Sequence, residues 1–380
     1  MKNRLLLKGF EVELFTGKFS GENVGISAEV AEELHGFVKE PDQRNLEYIT
    51  TPEANYTPLK QALLAPRRTL RQWLAPKQLT LLPGSTLSLG DPKHFERSDP
   101  ENPYHALIEQ TYGSRVVTAS VHINLGLNDL QLLFAALRLA RCEAALFLAL
   151  SASSPFLGGS TTGAHSQRWQ QFPVTPAEVP LFLNHQHYVR WTEQQLATGT
   201  MWNERHLWTS VRPNGPERPY DINRLELRIC DLITNPQILL AVTGLFELRV
   251  LSLLNRPDQF DPLQASSLSP NELAELSHAN DMAAAQNSLN STMHHWQDGH
   301  ALKCRSWIAI LIDEVMPLAR ELNLVDQLLP LQTVLNDGNQ AMQWLQSVNN
   351  GHSVETVFQA GIAAMESEEQ EMTKTKTPLG

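Results

Sequence analysis

Three cysteines in 380 residues, Cys142, Cys230 and Cys304, are too few and too scattered for a disulfide framework or a CxxC metal site. They fall within apolar segments, so buried thiols are expected rather than a redox switch, in keeping with a reducing cytoplasm. Residues 1–7 carry no secretory pattern. A surplus of positive charge is also missing. Lys and Arg number 30 against 41 Asp and Glu, for a net charge of −11. That balance argues against nucleic acid or an anionic membrane surface as partner. The most apolar stretch, 130–150, is broken by Arg138, Arg141 and Glu143. Charges in mid-segment are costly in a bilayer, so this stretch reads as a buried core helix. Phosphate-binding and nucleophile motifs are lacking too. The chain has no GxxxxGK[ST], no GxGxxG following a strand and no GxSxG elbow. Any nucleotide must therefore be held through metal and arginine.

What is present is an apolar fraction of 42%, enough for a sizeable core. Residues 5–15 alternate as a strand, and residues 44–50, 115–127 and 224–231 read as three more, rich in β-branched residues. Helical patterns cover 57–74, 130–150 and 180–196, and dominate beyond 236, with His294-His295 in a helix. Residues 201–221 read as irregular. The expected organisation is one α+β domain over 1–365, with a helical C-terminal part from about 255. A disordered polar tail is expected over 366–380.

Side chains alternate across a strand, so residues i and i+2 share a face. The first strand pairs Glu11 with Glu13, and the second Asn45 with Glu47. The third pairs His122 with Asn124, and the fourth Glu226 with Arg228. Each opposite face is apolar: Phe10, Val12 and Leu14; Leu46 and Tyr48; Val121, Ile123 and Leu125; Leu225, Leu227 and Ile229. If the four strands share a sheet, one surface gathers four carboxylates, an imidazole and a guanidinium. Same-face neighbours lie about 7 Å apart, close enough for several carboxylates to surround more than one ion. Such charges repel unless cations neutralise them, and an oxygen-rich site prefers Mg²⁺ or Mn²⁺. Each pair alone is commonplace on a solvated sheet; the signal is the same division on four strands.

Two loops supply complementary groups. Residues 212–224 carry Arg212, Arg218 and Arg224, and arginine suits bidentate contact with phosphate or carboxylate. Residues 151–169 offer hydroxyls, the N–H groups of Gly158, Gly159 and Gly163, and Arg168.

Seven stretches together resemble the glutamate–cysteine ligase family of bacteria and plants, most of all its cyanobacterial members. They are KGFEVELFTG (8–17), EPDQRNLEYITTP (40–52), LPGSTLSLG (82–90), SDPENPYHALIEQTYG (98–113), VVTASVHINLG (116–126), ALSASSPFLGGSTTGAHSQRW (149–169) and MWNERHLWTSVRPNGPERPYDINRLELRICDL (201–232). The resemblance implies a glutamine synthetase-like catalytic fold, a curved antiparallel sheet forming a funnel-shaped site flanked by helices. It implies Glu11, Glu13, Glu47, His122 and Glu226 as metal ligands, with His122 and Glu226 on the ATP side. Arg228 would lie near the transferred phosphoryl group, with Asn124, Arg168 and Arg212 as further substrate or phosphate contacts. It implies Mg²⁺ or Mn²⁺ as cofactor and glutamate, cysteine and ATP as small-molecule partners, joined in a cytoplasmic enzyme. The alternative is a related carboxylate–amine ligase with a different amine or acid.

Overall fold

The computed structural model describes residues 4–374. Seven strands form one sheet: β1 (Lys8–Gly17), β2 (Phe37–Lys39), β3 (Asn45–Ile49), β4 (Thr80–Leu82), β5 (Val121–Gly126), β8 (Val211–Asn214) and β9 (Arg224–Leu227). Two short pairs lie apart from it, β6 (Phe156–Leu157) with β7 (Ser160–Thr161), and β10 (Thr292–His294) with β11 (Ala301–Lys303). The main sheet runs β2-β3-β1-β5-β9-β8, every pairing antiparallel, and β4 pairs with the end of β1. The expected α+β architecture is therefore present, with an open antiparallel sheet at its centre.

The alternation read from sequence decides which face meets the core. Val12, Leu14, Leu46, Tyr48, Val121, Ile123, Leu125, Leu225 and Leu227 are all fully buried. Helices Leu130–Ser151 and Pro236–Asn255 lie within the same core cluster, which also reaches Phe358, Met365 and Met372 near the end of the chain. Helix Pro236–Asn255 has the length and composition of a membrane span, but most of it is buried inside the protein.

Charges in the apolar helix 130–151 are buried and partnered. Arg138 donates twice to Asp261, at 2.7 and 2.8 Å, Arg141 donates to Thr209, and Glu143 accepts from Arg249 at 2.7 Å. Each pair ties this helix to another segment, because an unpaired buried charge is strongly unfavourable.

Several elements depart from the sequence reading. The third strand is shorter than 115–127, because Gly113–Val116 forms a 3-10 turn. The fourth ends at Leu227. There the N–H groups of Arg228 and Ile229 both donate to the carbonyl of Ser210, at 2.8 and 3.1 Å, so two residues oppose one as in a bulge. Residues 211–214, read as irregular, form edge strand β8; Pro213 hid it, since proline interrupts a ladder. Helix 180–196 begins instead at His185, where Asn184 caps it. His294 lies in β10 and His295 just beyond it, not in a helix. Asn280 both donates to the His294 carbonyl and accepts from its N–H, which holds the extended backbone.

The tail is the largest correction. Residues 366–374 are not disordered but continue helix Val354–Lys374; residues 375–380 lie outside the described residues. Met365 and Met372 are buried, and Glu369 accepts from Arg67 at 3.4 Å and Arg71 at 2.6 Å. Arg67 has no exposed surface, so a polar-looking segment is anchored by a charge that only the fold reveals. Glu369→Ala should therefore destabilise the protein by about 3–5 kcal/mol, since it strands a buried guanidinium. Chemical denaturation measures this, and an unchanged midpoint would show that the contact is incidental.

Candidate active site

The register of the sheet brings the separate strand motifs together. Glu13 lies directly opposite Glu47, and Glu11 opposite His122. Asn124 lies opposite Glu226, and Glu226 opposite Arg212. Residues opposite one another in a ladder share a face. One polar row thus crosses β3, β1, β5, β9 and β8 on the side away from the core.

This row floors a cavity of about 490 Å³ lined by charges of both signs. Glu11, Glu13, Glu40 and Glu47 form a mutually repelling acidic group in its lining, which also holds Arg205, Arg212, Arg218, Arg224 and Arg228, with Glu204 and Glu217 beside Arg205 and Arg218. His122 stands among them. Its Nδ1 is 3.1 Å from Glu11, 3.5 Å from Glu226 and 3.3 Å from Arg228 Nη1. On its other edge, Ser120 donates its hydroxyl to Glu13 at 2.7 Å, so His122 Nε2, at 3.1 Å, is the donor to Ser120 Oγ. Its other nitrogen, Nδ1, faces Glu11 at hydrogen-bond distance, with Glu226 just beyond. One ligand atom each from Glu11, His122 and Glu226 lie within 4.8 Å of one another.

Glu226 is fully buried and fully engaged. Arg212 donates to it at 2.7 and 3.2 Å, Asn214 at 2.7 Å, and Arg228 forms a further close ion pair. Burial pushes its carboxyl up, but the charges of Arg212, Arg228 and His122 outweigh this and hold it well below the usual carboxylate range. The bulge after β9 turns Arg228 back onto its own strand neighbour. Arg212 is further fixed by the carbonyls of Arg205 and Leu207, each at 3.1 Å. Its guanidinium is thus a fixed wall of the site rather than a mobile arm.

The acidic group has the opposite balance. Burial, then repulsion from Glu40, Glu11 and Glu13, pushes Glu47 well above its ordinary value. Burial and repulsion from Glu13 push Glu40 up to about 7, against the pull of its hydrogen bond with Glu47. Glu11 is lowered: burial and Glu226 push it up, but its hydrogen bond to His122 and the positive charges prevail. A set of carboxylates that resists full ionisation suits a divalent cation, which replaces shared protons with fixed positive charge. The oxygen-rich donors with one imidazole fit Mg²⁺ or Mn²⁺.

Most residues proposed from sequence meet here, but two are placed differently. Arg168 does not line the cavity. It is 2% exposed, and its guanidinium donates to the carbonyls of Arg228 and Ile229, both at 3.0 Å. It thereby supports the bulge that aims Arg228. The loop 151–169 is likewise structural. Ser153 N–H, Ser154 Oγ and Ser166 Oγ all donate to buried Asp231, at 2.9, 2.7 and 2.8 Å. The N–H groups of Gly158 and Gly159 are taken by the carbonyls of Leu87 and Ser88. Asn124 sits behind the lining, donating to Glu11 at 3.2 Å and accepting from Arg224 at 3.2 Å.

Glu40, Ser120, Asn214 and Arg205 were missed. Glu40 follows β2, only three residues long, whose ladder with β3 delivers it beside Glu47. The one available signal was Pro41, which favours extended backbone at the preceding residue. Gly215 closes the turn after β8: a Cβ there would come within 2.3 Å of the Asp221 carbonyl.

Comparison with known proteins gives a consistent result. A family model described as glutamate-cysteine ligase family 2 matches residues 7–366. A Bradyrhizobium protein named as a candidate glutamate–cysteine ligase 2 is 28% identical over 231 residues, 59% of this chain and 54% of its own length. One of the same name from the cyanobacterium Gloeobacter violaceus is 30% identical over 157 residues, 40% of this chain and 41% of its own. The chain thus spans about half the length of these curated relatives. One from Mycolicibacterium vanbaalenii is 24% identical over 320 residues, 83% of this chain and 80% of its own. Among solved structures, the Francisella tularensis glutamate–cysteine ligase in complex with AMP superposes with a TM-score of 0.73 at 12% identity, covering 100% of this chain and 91% of that one. A bifunctional glutathione synthetase from Pasteurella multocida gives 0.74 at 14%, covering 98% and 53%. At these identities the likeness concerns the fold.

The raised carboxyls set a pH dependence. Glu40 at about 7 favours its protonated form in the fold. Its contribution to stability is complete below its ordinary value of 4.5 and is lost as pH rises through about 7. Mg²⁺ should therefore raise the melting temperature more at pH 8 than at pH 5.5, and Glu40→Gln should reduce that difference. A Mg²⁺ effect independent of pH in differential scanning fluorimetry would contradict this account.

Proposed function

The chain belongs to the glutamate–cysteine ligase family 2, and we propose that it joins the γ-carboxylate of L-glutamate to the amine of L-cysteine at the expense of ATP, giving γ-glutamylcysteine. The observation that carries this reading is one cavity lined by the repelling carboxylates Glu11, Glu13, Glu40 and Glu47, by His122 and by five arginines. A carboxylate is a poor acyl donor, because the leaving group would be oxide. Transfer of the terminal phosphoryl group of ATP to a carboxylate oxygen breaks the bond to ADP and makes a γ-glutamyl phosphate. The amine then attacks the carbonyl carbon, and phosphate departs.

Phosphoryl transfer asks a protein for positioning and charge stabilisation more than for a covalent partner. This fits a chain without nucleophile motifs. Glu11, Glu13, Glu40, Glu47 and His122 are the residues that would hold the metal; Glu226 would join them only by giving up a bond to Arg212, Asn214 or Arg228. When bound, Mg²⁺ supplies neutralisation of phosphate and carboxylate charge. Arg228, fixed by Glu226 and by the bulge that Arg168 supports, is assigned to the transferred phosphoryl oxygens. Arg218, on the connection between β8 and β9, and Arg224, the first residue of β9, are assigned to substrate carboxylates. Burial and the nearby charge of Arg212 lower Arg218 to about 10, so it still carries its charge at neutral pH. The known glutamate–cysteine ligase structure with AMP is consistent with a nucleotide here.

The test is phosphate release from ATP and Mg²⁺ with glutamate fixed and a panel of amines varied. Selective stimulation by cysteine, with γ-glutamylcysteine found by mass spectrometry, is the expected result. Turnover with a different amine would keep the ligase chemistry and change the substrate. Arg228→Ala should lower kcat by about 10²–10³-fold, the usual cost of losing a preorganised charge at the reacting group. Normal turnover by that variant would remove Arg228 from the chemistry. Activity should also be insensitive to mild oxidant, since all three cysteines are buried and burial raises each thiol to about 12.

A further inference from the structure

We infer that the loop closing β10 and β11 is a second metal site, separate from the acidic cavity, that takes a borderline transition-metal ion of the Zn²⁺ class. Its donors are His295, Asp298 and His300, none of which lines the cavity. One ligand atom from each lies within 4.8 Å of the other two.

The hairpin register explains why these residues meet. Thr292 pairs with Lys303, Met293 with Leu302 and His294 with Ala301. The next pair outward is His295 with His300, and the N–H of His295 donates to the carbonyl of His300 at 2.9 Å. Opposite residues share a face. The two imidazoles accordingly stack, with centroids 5.3 Å apart and planes 13° from parallel. Asp298 lies in the four-residue connection between them.

Both Nδ1 atoms engage groups of the loop itself. His300 Nδ1 is 2.5 Å from Asp298 Oδ1. His295 Nδ1 accepts the Gln297 N–H at 3.2 Å, so it carries a lone pair. An entering ion would displace the proton shared by His300 and Asp298, which leaves to solvent, and would gain two imidazoles and a carboxylate. Two His and one carboxylate with an open position is a Zn²⁺ donor set, and imidazole also suits Cu²⁺ and Ni²⁺. It does not suit Mg²⁺, which separates this loop from the oxygen-rich cavity.

The loop is held in place from outside. Ser266 Oγ donates to the Trp296 carbonyl at 2.6 Å, and the Ser267 N–H donates to the Gln297 carbonyl at 2.8 Å. Trp296 is fully buried and donates to Glu143 at 3.0 Å. His295 packs on Trp307, centroids 4.7 Å apart. These contacts fix the backbone of the connection, so an ion would have to turn only the side chains, drawing the imidazoles out of their stack until their in-plane lone pairs converge.

The test is titration of the full chain with Zn²⁺ in excess Mg²⁺, followed by competition with a chromogenic zinc chelator, so that the readout is independent of turnover. Wild type should bind one more equivalent than His300→Ala. Asp298→Asn should keep that equivalent but weaken it by about tenfold or more, as loss of a carboxylate partner does. His300 is exposed, so its removal leaves the fold intact, which the unchanged melting temperature without Zn²⁺ will verify. Equal stoichiometry and affinity in wild type and His300→Ala would overturn the proposal.

Discussion

Repulsion among Glu11, Glu13, Glu40 and Glu47 is the constraint around which the remainder of the molecule is arranged. Four carboxylates together in the lining of a small cavity are unfavourable in an isolated fold. The sheet enforces their proximity, because Glu13 and Glu47 are direct ladder partners and cannot move apart without breaking the pairing. What makes the enforcement affordable is the core beneath, where the opposite face of each strand is wholly buried. The charge problem is passed upward to the cavity, where protons or cations resolve it.

The basic groups are organised by a different logic. Glu226 is the sole carboxylate in the row that arginines saturate, and it works as an anchor for Arg212 and Arg228. The bulge after β9 depends on Ser210, and Arg168 secures the carbonyls of Arg228 and Ile229 from behind. Asp231, three residues beyond Arg228, fastens the loop 151–169 through three hydrogen bonds. A chain of buried polar contacts therefore runs from a loop outside the cavity to the arginine that faces it. Such contacts give little net stability but fix geometry, which is what charge stabilisation of a transferred group requires.

Much of the site was legible because its residues obey a period of two. Glu11 and Glu13, His122 and Asn124, Glu226 and Arg228 each announce a polar face opposite an apolar one, and these faces did meet. Glu40 was not legible, since β2 has three residues and no alternation to speak of. β8 was hidden by Pro213 inside it. Arg168 was misread for another reason: a glycine- and serine-rich loop looks like a phosphate cradle whether its N–H groups face a ligand or face Leu87 and Ser88.

The sequence by itself determined the strands that carry the carboxylates, their inward and outward faces, the central buried helix and the family, because these follow from local periodicity and from motifs. Only the tertiary structure decided which arginines face the cavity and which serve the backbone. It alone showed that the polar residues 366–374 are helical, since their anchor is Arg67, some 300 positions away in sequence. Pairing between distant charges leaves no trace in local pattern: a buried partner and a solvated one are the same letter until the chain has folded.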